Sequence, residues 1–259
     1  MLGVAALEAR VGYRGHVACA ATAALMLVSP LAAQDRSQSR SMVSSPLGVV
    51  ASESVLASQV GASILERGGN AIDAAVAMNA MMGLVAPMND GIGGDLFAIV
   101  YEAKTGKLYG LNASGWAPKG LTVAHLRAKG RTSMPARGID AATVPGAVDG
   151  WEKLLTRFGR TRMADVLAPS IAYAERGFPV GEVVSVYWKD SEKVLREDSA
   201  TAAVFLPNGK LPVAGEMFRN PELAWSYRQI AARGAAAFYR GTIAARLLAS
   251  SKQHGGTMT

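Results

Sequence analysis

The 259-residue sequence contains a single cysteine, Cys19, only three histidines, and just 18% charged residues. One cysteine forms no internal disulfide and no cysteine-rich zinc site. His16, His125 and His254 are isolated, so neither an H-E-x-x-H helix nor any other histidine pair marks a metal centre. There is no G-x-S-x-G elbow for a serine hydrolase. The glycine cluster Gly91-Ile92-Gly93-Gly94 is followed by Asp95 and Leu96, not by the Lys-Ser/Thr of a phosphate loop or the last glycine of a dinucleotide fingerprint. The residues therefore imply no cofactor, metal or organic. The formal charge is +7, but Lys and Arg are scattered from Arg36 to Lys252 with no dense block. Nucleic-acid binding would gather them on one stripe with aromatics among them, so the excess charge reads as solvated surface.

What is present is apolar and small. Hydrophobic residues make up 50% of the chain and glycine contributes 28 residues, enough for a substantial core and too apolar for intrinsic disorder. Arg10 and Arg14 precede an Ala- and Leu-rich run, Val17 to Ala33, closing on Pro30-Leu31-Ala32-Ala33-Gln34. That order of basic start, apolar stretch and small residues predicts a secretory signal over 1–33, cleaved near Ala33. The run is barely long enough for a membrane anchor and is interrupted by Ser29 and Pro30, so no stable span remains after cleavage. A periplasmic or secreted location follows, with a mature chain free of cysteine. Residues 34–46 form a polar Ser- and Arg-rich linker, and 47–259 the folded portion.

Gly48 to Ser52 predicts a short buried strand, with Ser52 capping a helix whose stripe is Leu56, Val60 and Ile64. Gly68-Gly69-Asn70 ends that helix. Ala71 to Ala86 is apolar nearly all round, which predicts a central core helix with Met78, Met81 and Met82 as filler. Leu96–Glu102 and Leu108–Ala113 flank Lys104-Thr105-Gly106-Lys107 as a β-hairpin. Further helices are predicted over Trp151–Phe158, Ala164–Glu175 and Thr242–Lys252. Val180–Glu197 is ambiguous and Leu206–Lys210 a turn. Asn220-Pro221-Glu222 is a helix start of cap, proline and acid, with Leu223, Tyr227 and Ile230 inward.

Taken together, certain runs resemble one family. Ala57-Ser58-Gln59 and Ile64 through Ala77 match the opening of the γ-glutamyltransferases. The likeness continues in order through Gly91–Gly94, Phe97, Ala117-Pro118, Val144–Trp151, Leu167–Ile171 and Ala174–Val180. It then takes in Asn220–Ala224, Gly234, Ala237–Gly241 and His254–Thr259. The resemblance implies an α/β N-terminal-nucleophile hydrolase fold, an αββα sandwich incomplete in this chain. Such enzymes are made as one precursor and cut into large and small subunits. The cut frees a threonine whose α-amine is the base for its own hydroxyl. The acyl-enzyme then passes a γ-glutamyl group to water or to an amine.

That threonine lies in a Thr-Thr-His-type motif, and this sequence contains no Thr-Thr pair. Thr257 and Thr259 fall within the large-subunit pattern, so the nucleophile is expected beyond residue 259, on a small-subunit partner. No catalytic residue is assigned within the chain. The resemblance also places a carboxylate-binding arginine three residues before the Ala-Pro pair, where this sequence has Ser114. A bidentate guanidinium would give way there to one neutral hydrogen bond. Either Lys119 or Arg137 holds the carboxylate, or the acyl group differs, as in the relatives that cleave amides of dicarboxylic acids. A non-catalytic remnant that binds a ligand or partner is the reading from outside enzymology. A solute-binding protein has export alone in its favour.

Overall fold

The computed structural model describes residues 42–259. The signal reading of 1–33, and the linker up to residue 41, lie outside the described residues. The unit Ser45–Thr259 is built round an apolar helix.

That helix is α2 (Ala71–Val85), preceded by α1 (Val55–Glu66). Ten of the fifteen residues of α2 are buried, as its lack of a polar face predicts. Met81 is fully buried, Met78 nearly so, and Met82 packs at the core's margin. Between the two helices, Gly68 has φ +90°, and the Gly69 amide donates to the Ile64 carbonyl at 3.0 Å, closing the turn that the glycine pair predicts. Asn70 caps α2 by accepting from the Ile72 and Asp73 amides, while Asp73 accepts from the Asn70 amide at 2.8 Å. These reciprocal bonds form a capping box.

The hairpin pairs β1 (Leu96–Glu102) with β2 (Lys107–Ala113), in register from Leu96 opposite Ala113 to Glu102 opposite Lys107. Between β2 and the next long helix lie α3 (Val123–Ala128) and a 3-10 turn, Ile139–Ala141. One face of the hairpin, with Val100 and Ala113 buried, packs on α4 (Ala147–Phe158). The other presents Phe97, Ile99, Tyr101 and Leu108, each at least 66% exposed. Helix α5 (Met163–Arg176) packs on both α2 and α8 (Pro221–Arg233). Tyr227 of α8 stands beside Trp151 of α4 at 6.1 Å between ring centroids, and its hydroxyl donates to the Ala80 carbonyl at 2.7 Å. Helices α9 (Ala235–Tyr239) and α10 (Thr242–Gln253) follow.

The second sheet pairs β3 (Phe178–Pro179) with β4 (Met217–Phe218). Between them lie α6 (Glu182–Leu195), which resolves the ambiguous stretch as helix, and α7 (Ser199–Phe205). The Trp188 ring of α6 sits on Phe218 at 4.8 Å.

Two sequence expectations are corrected. Residues 48–52 form no strand, and Val49 is 61% exposed. A strand requires a hydrogen-bonded neighbour, and none lies beside this run among the described residues. The N-cap of α1 is Ser54, not Ser52. The Ser52 hydroxyl instead donates to the Ser54 carbonyl at 2.7 Å and shares a hydrogen bond with Ser58 Oγ at 2.8 Å.

The cap at Asn220 is as predicted: its side chain accepts from the Leu223 amide at 3.0 Å, and Pro221 takes the first helical position. Asn220→Ala removes that acceptor from a buried site. The expected loss is about 1 kcal/mol, read as a fall in the thermal midpoint of about 2–4 °C.

Candidate active site

Three segments meet at the open end of the hairpin. The first is the glycine loop between α2 and β1. Trp151 Nε1 donates to Asn79 Oδ1 at 2.7 Å, and Asn79 Nδ2 donates to Asp90 Oδ2 at 2.6 Å. Asp90 Oδ1 accepts from the Gly91 amide at 2.7 Å, so the core indole fixes the start of the loop through one amide side chain. Burial pushes the Asp90 carboxyl up from its ordinary value, and the Gly91 N–H partly opposes this.

The second and third segments are 112–116, leaving β2, and 143–147, entering α4. The Gly94 carbonyl accepts from the Gly146 and Ala147 amides at 3.0 and 3.1 Å. Asp95 Oδ1 accepts from the Gly115 amide at 2.8 Å and from Thr143 Oγ1 at 3.3 Å. The Val144 amide donates to the Trp116 carbonyl at 3.0 Å. Behind them, the Tyr239 hydroxyl donates to the Pro145 carbonyl and accepts from the Asp149 amide, at 2.9 and 3.1 Å.

Ser114 lies in the middle of this corner and is exposed. Its amide donates to Asn112 Oδ1 at 2.9 Å, and its hydroxyl makes no hydrogen bond among the described residues. Neither of the two cations offered by the sequence as substitutes for the missing arginine hydrogen-bonds to Ser114 among the described residues. Arg137 lines a separate cavity of about 270 Å³ with Pro87, Met88 and Asp190. Lys119 is exposed and enters none of the ion pairs among the described residues. What the sequence did not bring out is the part played by Asp95, Asn112 and Thr143. The available signal was Asp95 itself, an acid directly after a glycine pair.

The remaining histidines are structural. His125 Nε2 and Lys129 Nζ contact the two oxygens of buried Asp140 at 2.9 and 2.7 Å, and Lys129 also donates to the Gly255 carbonyl. The lysine and the imidazole hold the Asp140 carboxyl below its ordinary value. His254 spans the Ser250 carbonyl and Asp198, the cap of α7. The last residues are tied back as well, the Met258 amide donating to Ser251 Oγ at 3.4 Å.

The chain is similar to known proteins. The family model described as gamma-glutamyltranspeptidase matches residues 57–259. A glutathione hydrolase-like YwrD proenzyme of Bacillus subtilis is 42% identical over 212 residues, covering 82% of this chain. The match takes in only 40% of that relative's length. Among solved structures, the Helicobacter pylori γ-glutamyltranspeptidase superposes with a TM-score of 0.80 at 31% identity, covering 85% of this chain and 64% of that one. A cephalosporin acylase from Bacillus halodurans superposes with a TM-score of 0.77 at 38% identity, covering 86% of this chain and 44% of that one. The fold is accordingly that of the N-terminal-nucleophile hydrolases, of which this chain holds a part. No helix among the described residues is long and apolar enough to cross a membrane. The chain belongs to the γ-glutamyltranspeptidase family.

Proposed function

We propose that this chain is the first part of the large subunit of an exported acyl-transfer enzyme. A threonine supplied by downstream sequence would be its nucleophile. The observation that carries the proposal is the family match from residue 57 to residue 259, with the Gly93–Asp95, Asn112–Trp116 and Thr143–Ala147 segments drawn together at one corner. The signal predicted from the sequence over 1–33 supports export. The exposed apolar face of the hairpin, Phe97, Ile99, Tyr101 and Leu108, supports a covering layer contributed by the rest of the precursor.

In this reading the freed threonine hydroxyl adds to the carbonyl of a γ-glutamyl amide, its own α-amine taking the proton. The amine leaves with that proton, and water or an acceptor amine then releases the acyl group. A second reading, amide acylase, is favoured by Ser114 in the place of a guanidinium and by the likeness to the Bacillus halodurans acylase.

Expression of the chain with its continuing reading frame tests the proposal. The expected result is a precursor that cuts itself before a threonine and releases nitroaniline from γ-glutamyl or simpler acyl p-nitroanilides. An uncut product inactive on all of them overturns it and favours a binding remnant.

A further inference from the structure

Away from the corner round Ser114, a cavity of about 350 Å³ opens where the glycine loop meets α7, α8, α9 and α10. None of residues 112–116 or 143–147 borders it, and Ile92 and Gly93 are the part of the glycine loop that does. Its lining is mainly apolar. Phe238 and Ile243 are buried, while Val204, Trp225 and Leu247 are partly so. An apolar cavity of this size with a few placed polar groups is the usual form of a small-molecule site.

The placed polar group is Asn220. It borders the cavity and is only 6% exposed. Its Oδ1 is taken by the Leu223 amide at 3.0 Å, the helix cap already described. Its Nδ2 donates to no acceptor among the described residues. Yet no side-chain nitrogen or oxygen there is both shut off from solvent and unpaired. Nδ2 therefore reaches open space, and the open space that Asn220 borders is this cavity. A donor so deeply set and without a partner lacks about one hydrogen bond, which an entering acceptor would supply.

The charges decide what kind of acceptor fits. Arg246 and Glu222 both border the cavity, and both side chains are largely exposed, so they stand at its mouth. The guanidinium lies over the Trp225 ring at 4.2 Å and faces Glu222 Oε2 at 3.6 Å. The two charges oppose each other and leave no net field to draw in an ion. Ser226 is spent on its own helix, its hydroxyl donating to the Glu222 carbonyl at 3.0 Å. A carboxylate brought in to Asn220 would lose its water and gain one neutral N–H, a poor exchange. A carbonyl oxygen loses far less.

We propose that this cavity binds an uncharged apolar molecule bearing a carbonyl acceptor, such as an aromatic amide, with Asn220 Nδ2 as the donor that reads it.

Saturation-transfer NMR titrations of the full-length protein test this with phenylacetamide, phenylacetate, toluene and acetamide. Binding is the readout, so the result holds whether or not the precursor cuts itself. Phenylacetamide, with about ten non-hydrogen atoms, should saturate with a Kd of about 1 mM. Toluene, without the acceptor, should bind about fivefold more weakly, and acetamide, without the apolar body, not measurably. Asn220→Asp is the decisive variant. Aspartate caps a helix as well as asparagine does, so the thermal midpoint should hold while the donor is lost. Phenylacetamide should then bind about tenfold more weakly or worse, and toluene as before. Val204→Trp, which fills the cavity from α7, should abolish binding of both, and it decides alone if Asn220→Asp does not accumulate. Phenylacetate bound as tightly as phenylacetamide overturns the inference, as does phenylacetamide binding that both variants leave unchanged. No saturable binding of phenylacetamide also overturns it, and would show the cavity to be closed or filled by downstream sequence in the full-length protein.

Discussion

Asp73→Ala is expected to lower the thermal midpoint of the full-length protein by about 10 °C, corresponding to about 3 kcal/mol or somewhat more. The Asp73 side chain is fully buried and has no ion-pair partner among the described residues. Its charge is satisfied by backbone amides alone. Asn70 donates to Oδ2 at 2.8 Å, Arg160 to both oxygens at 3.0 and 3.1 Å, and Thr161 to Oδ1 at 3.1 Å. The same carboxylate lies in the first turn of α2, where the helix dipole favours it. Alanine strands three donors, and each one left without a partner costs about 1–3 kcal/mol, less where water reaches it. The turn after α4 would also be held more loosely to the start of α2, because among the described residues the bond from Asn70 Nδ2 to the Phe158 carbonyl is the one side-chain hydrogen bond left between them. Asp73→Asn keeps one accepting oxygen and should lose roughly half as much. Differential scanning calorimetry or circular dichroism reads the shift, and a fall below about 2 °C would show that solvent replaces these bonds freely.

The same residue marks the boundary of what the sequence could reveal. The glycine turn after α1 and the apolar helix that follows are local events, readable because their partners lie within five residues. The second task of Asp73, gripping residues 160 and 161, joins positions 87 and 88 apart, and no periodicity carries that information. The error at Ser52 has the opposite origin. Two serines at 52 and 54 are equal candidates for a cap, and only the observed geometry shows that Ser52 turns towards Ser58. The 48–52 run has strand composition, but strand formation depends on a neighbour that composition does not supply. Helices α3 and α7, of six and seven residues, are too short to show a helical repeat. The two-residue strands β3 and β4 are defined only by each other.

At the candidate site, the resemblance points to Ser114 and to nearby cations, and the structure places Ser114 where the three segments meet. Arg137 was attractive as a charge and proves to line another cavity. Asp95 does not stand out in the sequence, because an acid after two glycines is an ordinary turn residue. Its importance comes from Gly115 and Thr143, 20 and 48 residues away.

Gly115→Ala and Ser114→Ala, neighbours in the chain, should behave oppositely. A Cβ on Gly115 would lie 1.5 Å from the Val144 carbonyl oxygen, and one on Gly146 would lie 2.0 Å from the Ala113 carbonyl oxygen. Neither glycine has positive φ, so the requirement is room, not conformational freedom. The obstacle at Gly115 is main chain, which cannot swing aside as a side-chain tip can. Relief needs the 112–116 and 143–147 segments to separate by more than an ångström. That movement breaks the Val144–Trp116 bond and draws the Gly115 amide from Asp95. Overpacking of this kind typically costs about 1–3 kcal/mol, and two lost hydrogen bonds add about 1 kcal/mol each. The expected result for Gly115→Ala is a thermal midpoint lower by about 6–20 °C and, in the processed enzyme of the proposed function, anilide hydrolysis abolished even in the molecules that remain folded. Ser114→Ala removes a hydroxyl that bonds to nothing among the described residues and should leave stability within about 0.5 kcal/mol. Any effect of that substitution must then appear in kcat/KM alone. Unfolding midpoints and anilide kinetics on both variants separate the two roles. A Gly115→Ala protein as stable and active as its parent would show that the corner opens in solution, and that Asp95 is not fixed against it.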